Sequence, residues 1–321
     1  MKTDIIGRQY NEKHSQLILK RLSMNKFTVA ALLALSLAPA ALQGQTGLLV
    51  VAHGADSGWN ARVHATVSQV HWSGPVATAF LMGPEADSSG WSEGVQSLVR
   101  QGAKRIVVVP LMVSTFGGHV RQIEYYAGVR NSLPDALMDH DHGMHAKPPV
   151  PTAVTGALDD APELVSALSE RWRELGPQDQ RRPVLLVAHG PNDSLDAMRW
   201  LANLRGATNA LSASAHADAR VALLRDDAPA EVRAASIAAM RDTVLALAGR
   251  VQDSVVVIPV MISSGSITQV KIPHDLANLP IRYHARPLAP LPELARWMER
   301  KASEATSHAA SRLSARPARG S

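Results

Sequence analysis

His53 and His119 are the residues of this 321-residue chain best placed to do chemistry. His53 closes the apolar run Gly47-Leu48-Leu49-Val50-Val51-Ala52 and is followed at once by Gly54. His119 stands behind Gly117-Gly118, nine positions after Pro110. A neutral imidazole is a good ligand for borderline transition metals, and one titrating near neutrality can also accept a proton. Glycine beside each ring lets the backbone turn sharply and leaves room for a ligand. Carboxylates are too sparse around the pair to suit a hard oxygen-seeking cation. The plainer reading of a strand-end histidine is a hydrogen-bonded structural residue. What favours chemistry is that both residues fall at the same end of predicted strands.

The elements that must bring these rings together come from a duplication. Pro183-Val184-Leu185-Leu186-Val187-Ala188-His189-Gly190 repeats the His53 segment. Ser254-Val255-Val256-Val257-Ile258-Pro259-Val260-Met261 repeats Arg105-Ile106-Val107-Val108-Val109-Pro110-Leu111-Met112, and Leu291-Pro292-Glu293-Leu294 echoes Ala161-Pro162-Glu163-Leu164. Three matches in one order make the chain two copies of one unit. Short β-branched runs predict strands near 47–52, 75–81, 105–113 and 149–154, then 183–188, 219–224, 253–261 and 281–285. Helical stretches fall between them, near 60–70, 89–102, 118–130 and 160–175, then 194–205, 229–249, 267–278 and 291–303. Strand–helix alternation means a parallel sheet with right-handed crossovers. The fold class is therefore α/β, two tandem doubly wound domains (45–178 and 181–303) facing each other across a cleft. In such sheets ligands bind beyond the C-terminal strand ends, where both histidines are expected.

Taken in order, Val50-Val51-Ala52-His53-Gly54, Val107-Val108-Val109-Pro110-Leu111 and Gly117-Gly118-His119-Val120 resemble the class II tetrapyrrole chelatases, in particular the sirohydrochlorin cobaltochelatases and ferrochelatases. The likeness is good over 47–175 and looser over 183–303. It implies a chelatase-like fold and an ATP-independent lyase that inserts a divalent metal substrate (Co2+, Fe2+ or Ni2+) into a sirohydrochlorin-like tetrapyrrole. It also implies that His53 and His119 hold the metal and take up pyrrole protons. Gly54, Gly117, Gly118 and Arg121 become the candidates for contact with the tetrapyrrole, Arg121 through its carboxylates. The chain departs from the family in two places. Gapless alignment from Pro259 puts Thr268 opposite His119 and Ser266-Ile267 opposite Gly117-Gly118, so the second copy keeps only His189 as a further candidate ligand, with His274 nearby. Family members often carry a glutamate directly after the Phe-Leu of the second strand; here Phe80-Leu81 is followed by Met82, and Glu85 comes three residues later.

A His-rich loop at 139–147 adds His140, His142 and His145, flanked by Asp139 and Asp141. It reads either as a weak transition-metal clasp or as a polar linker.

Composition narrows the function classes. The chain has no cysteine, which excludes thiolate nucleophiles, zinc–thiolate sites and disulfides. The phosphate-loop pattern of nucleotide hydrolases and the His-Glu-x-x-His zinc-protease pattern are absent, so no nucleotide is expected. The apolar run at 27–42, preceded by Lys20, Arg21 and Lys26 and followed by small residues, predicts a signal peptide within 1–44 and a periplasmic protein with no stable membrane anchor after processing. Met24 is the more natural start, and 1–23 an upstream extension. The segment 1–44 carries six basic and two acidic residues of the chain's 33 and 28, so the net charge of +5 belongs almost wholly to it. Nothing else suggests nucleic acid. Residues 304–321, rich in Ala, Ser and Arg, predict a disordered tail. Two functions stay open, an exported chelatase and an exported non-catalytic binder of transition metal or tetrapyrrole.

Overall fold

The computed structural model describes residues 46–133, 137, 147–215 and 218–314. The first copy runs β1 (Thr46–Ala52), α1 (Ser57–Val67), β2 (Val76–Phe80), α2 (Trp91–Arg100), β3 (Arg105–Pro110), α3 (Gly118–Tyr126), β4 (Thr152–Val154) and α4 (Pro162–Arg173). The second runs β5 (Val184–Ala188), α5 (Ser194–Ala215), β6 (Ala219–Leu223), α6 (Ala230–Val251), β7 (Val255–Val260), α7 (Ile272–Asp275), β8 (Ile281–Tyr283) and α8 (Pro292–Ser314). Each copy forms a parallel four-stranded sheet, in the orders β2-β1-β3-β4 and β6-β5-β7-β8. The tandem α/β expectation holds, and the register confirms the duplication: Val51 pairs with Pro110 as Val187 pairs with Pro259.

The side-chain alternation of each central strand divides its residues between two cores. Leu48 and Val50 of β1, with Val107 and Val109 of β3, join Val184, Leu186, Val256 and Ile258 of the second sheet in one large apolar cluster. Leu164 and Leu168 of α4, Trp200 and Leu204 of α5, and Leu294, Trp297 and Met298 of α8 fill it. The two sheets are thus joined by a shared helical layer. The alternate residues Leu49, Val51 and Val108 turn to α2 and α3, and Leu185, Val187 and Val257 turn to α6, in two outer clusters. A fully buried Leu or Val contributes roughly 1.5–3 kcal/mol, so burial on both faces accounts for the unbroken apolar runs of the central strands. The last helix of each copy reaches into the other: Arg171 of α4 donates to the carbonyls of Pro287 and Leu288, and Arg300 of α8 grips Glu163 at 2.7 Å through two nitrogens.

Three expectations need correction. The helix expected at 194–205 continues to Ala215, because Leu204, Ala207 and Leu211 keep its inner stripe buried. The helix expected at 267–278 is instead a π-turn over 267–271 followed by the short α7, with Pro273 at its start; a proline that cannot donate to the preceding turn favours such a break. The tail expected from 304 is helical to Ser314, since Ala302 and Thr306 are buried and Ala305 packs on the shared core. Residues 315–321, like the expected signal segment 1–44 and the histidines His140, His142 and His145, lie outside the described residues. Among the described residues no helix is long and apolar enough to cross a membrane.

Candidate metal centre

His53 leaves β1 at its C-terminal end and enters a turn that only glycine suits. Gly54 has φ +85°, and a Cβ there would lie 2.2 Å from the Met82 carbonyl oxygen. The backbone of the second strand's exit closes on the same spot, the amides of Leu81 and Met82 both donating to the His53 carbonyl. His119 lies in the first turn of α3. The two rings, 66 positions apart in sequence, meet with centroids 4.7 Å apart and planes at 85°. A divalent ion about 2.0–2.1 Å from one nitrogen of each ring would put the centroids roughly 4.5–5.3 Å apart for ligand angles from square to tetrahedral. The observed gap suits one shared ion.

The protonation pattern suits it as well. The Nδ1 of His53 is 2.7 Å from the Gly54 carbonyl oxygen, an acceptor, so Nδ1 carries the proton and Nε2 keeps its lone pair. The Nδ1 of His119 is 3.1 Å from Oε1 of Gln122, whose Nε2 donates to the Tyr126 hydroxyl at 2.8 Å. That chain of bonds again leaves Nε2 as the open nitrogen, the orientation a ligand needs. Burial holds His53 below its ordinary pKa against the opposing pull of the Gly54 carbonyl, and burial together with the neighbouring His53 pushes His119 down to about 4. Both rings are therefore neutral ligands at pH 7. Desolvation thus keeps both rings uncharged with a lone pair available.

His189 repeats the arrangement in the second copy, its Nδ1 2.8 Å from the Gly190 carbonyl oxygen. Its Nε2 lies 3.5 Å from the largely exposed carboxylate of Asp227. Both residues act electrostatically on His53 and His119, so the second copy presents an imidazole–carboxylate pair to the first copy's two rings. His189, Asp226 and Asp227 have ligand atoms within 4.8 Å of one another. Asp226, however, is already matched by Lys271 and Arg233, which leaves His189 and Asp227 as the available donors. Thr268 occupies the position opposite His119 and is structural: buried, it bonds Ser264 and both backbone groups of Gly265. His274 is exposed and bonds Asp275, and it does not restore the missing ligand.

Other expected residues are placed differently. Arg121 is spent inside the protein, its Nη2 2.6 Å from the buried Asp196 of α5, so its expected role on tetrapyrrole carboxylates is corrected. Glu85 is held by His64 at 2.5 Å and Asn60 at 2.9 Å, which makes it a brace between α1 and the β2 exit. A Cβ at Gly117 would meet nothing within 4 Å, and at Gly118 only Leu137 at 3.3 Å, so neither glycine is demanded by close packing among the described residues. Sequence reading missed Gln122, Tyr126, Trp59 and Asp227. Gln122 stands one helical turn after His119 and Tyr126 one turn after Gln122, a spacing that was legible. Trp59, 6.4 Å from His53, follows the helix cap formed by Asp56. Asp227 carries no sequence signal.

Comparison with known proteins bears on the fold that carries these residues. Residues 47–175 match the family CbiX. The chain is similar in structure to SirB from Bacillus subtilis with Fe3+, at TM-score 0.58 and 16% identity over 83% of this chain and 97% of that one. It is likewise similar to the sirohydrochlorin chelatase SirB from Bacillus subtilis subspecies spizizenii in complex with cobalt, at TM-score 0.56 and 14% identity with the same coverage. A multi-domain Deinococcus radiodurans protein, DR2241, described as structurally similar to chelatases, matches at TM-score 0.53 and 15% identity, over 84% of this chain and 60% of that one. No curated protein matches the sequence significantly. The resemblance to class II chelatases is borne out by the family match over the first copy, and as a fold over both.

Proposed function

We propose that the protein inserts a divalent transition metal into a sirohydrochlorin-like tetrapyrrole without nucleotide hydrolysis. The observation that carries this reading is the edge-on pair of neutral imidazoles, 4.7 Å apart and each with its Nδ1 proton tied down. Two nitrogen ligands with open positions bind an ion and still release it; a closed four-ligand cage would trap it. The relatives of this fold described with iron and with cobalt support Fe2+ or Co2+ as the metal substrate, with Ni2+ the third candidate. Two pyrrole protons must leave as the metal enters. His189, whose Nε2 lies 3.5 Å from the Asp227 carboxylate, is the acceptor in this reading. The run at 27–42 supports export to the periplasm, which fractionation of cells expressing the full chain tests.

The direct assay follows the absorbance of a metal-free tetrapyrrole with added Co2+. A rate above the protein-free control is expected; a rate equal to it rejects the chelatase. His189→Ala should slow insertion about 10²-fold or more at unchanged Co2+ affinity, and a loss of Co2+ affinity instead would make His189 a ligand. The non-catalytic binder is the second reading, favoured by the weak basicity of His53 and His119. It predicts tight metal binding by calorimetry with no insertion, and loss of that binding on deleting 139–147 would place the ion in the His-rich loop.

A further inference from the structure

The second copy has lost one of its two ligand positions to Thr268, yet its first helix is built against the first copy's His119 loop. Within the first copy the loop before His119 is tied through Ser114, which takes the Phe116 amide at 3.2 Å, and through Thr115, which takes the Ala157 amide at 2.8 Å. Helix α3 begins at Gly117 with no side-chain cap, behind two glycines. A second constraint, from the other copy, comes from one face of α5, at the helical spacing 196, 199/200 and 203. Asp196, only 2% exposed, takes Arg121 Nη2 on both oxygens at 2.6 and 2.8 Å, two residues beyond His119. Arg199 lies over the Phe116 ring at 5.2 Å, and the Trp200 indole N–H donates to the Phe116 carbonyl. Asn203 donates to Asp159 at 2.9 Å, and Asp159 in turn takes the Thr115 amide at 2.8 Å and its hydroxyl at 2.5 Å. Asp196 is itself anchored, its amide donating to the Asp193 carboxylate at 2.8 Å at the start of α5.

We propose that this α5 face is a platform by which the second copy positions His119, with Asp196 the positioning residue that acts on it through Arg121. Burying a carboxylate is costly unless it is paired; Asp196 has Arg199 of its own helix at 3.3 Å and Arg121 of the other copy at 2.6 Å, so the closer bonds to Arg121 favour the docked geometry. The imidazole that must share an ion with His53 is thereby set from across the domain interface. The inference rests on the metal-site reading above, and it explains why a copy without a complete ligand set is retained.

The test compares Asp196→Asn, Asp196→Glu and Glu163→Gln in the full chain. Glu163→Gln cuts a different inter-copy ion pair, with Arg300, and serves as the stability control. In Co2+ titrations followed by visible absorbance, Asp196→Asn should bind about tenfold or more weakly with an altered cobalt spectrum. Asp196→Glu should recover most of that loss, and Glu163→Gln should stay within about twofold of wild type whatever its Tm. In the metal-free protein, the NMR contact between the His53 and His119 rings should disappear in Asp196→Asn and survive in Glu163→Gln. Wild-type affinity and an intact ring contact in Asp196→Asn would overturn the proposal, as would an equal loss in Glu163→Gln. A wild-type protein that takes no Co2+ rejects the metal reading instead, while the ring contact still decides the positioning role. If Asp196→Asn does not fold, Arg121→Lys, which keeps a cation but not its reach, carries the same comparison.

Discussion

At the scale of the residue, the site depends on keeping two imidazoles neutral and aimed. His119 is pushed to about 4 from an ordinary 6.5, so between those values the unfolded chain takes up a proton that the native chain refuses. The linkage fixes the sign: this contribution leaves stability unaffected above pH 6.5 and lowers it progressively as pH falls toward 4. By pH 5 the loss from His119 should be about 2 kcal/mol, read as a smaller unfolding free energy in urea at pH 5 than at pH 7.5. His119→Gln should remove most of that pH dependence. Metal binding should resist mild acid for the same reason, with Co2+ affinity changing no more than about twofold between pH 7.5 and 6. Gln122→Leu takes the acceptor from His119 Nδ1 while leaving a buried apolar side chain of similar size. It should cost about tenfold in Co2+ affinity, and calorimetry checks it.

At the scale of the element, the strand ends and their turns place the rings, and much of this was legible. The strand-end His-Gly and the Gly-Gly-His turn were readable because their chemistry is local, as was the strand–helix alternation. Gly54 shows the physical reason most clearly, with its left-handed φ and its close approach to the Met82 carbonyl. Gly54→Ala should destabilise the fold by about 1–3 kcal/mol and displace His53, seen as a lower Tm together with weaker Co2+ binding. What the sequence hid depends on partners distant along the chain. Arg121 looked available for an anionic ligand because nothing near it in sequence announces Asp196, 75 residues away. The Asp227 carboxylate met by His189 was hidden in the same way. The helix of α8 past 304 was missed because Ala302, Ala305 and Thr306 are only weakly apolar, and they are buried by packing on the other copy.

At the scale of the whole molecule, duplication has been followed by a division of labour. The first copy holds the paired imidazoles; the second contributes His189 with Asp227 and the α5 face that docks on the His119 loop. The shared core and exchanged end helices make the two copies one packing unit, so their relative placement follows from folding itself. The account stands on a single ion shared by His53 and His119. X-ray absorption on the Co2+-loaded protein lacking 139–147 measures this directly. One cobalt per chain is expected, with two imidazole nitrogens in its coordination shell that are lost on His53→Ala or His119→Ala. A cobalt shell with no imidazole scattering, or one unchanged by either substitution, would contradict the account.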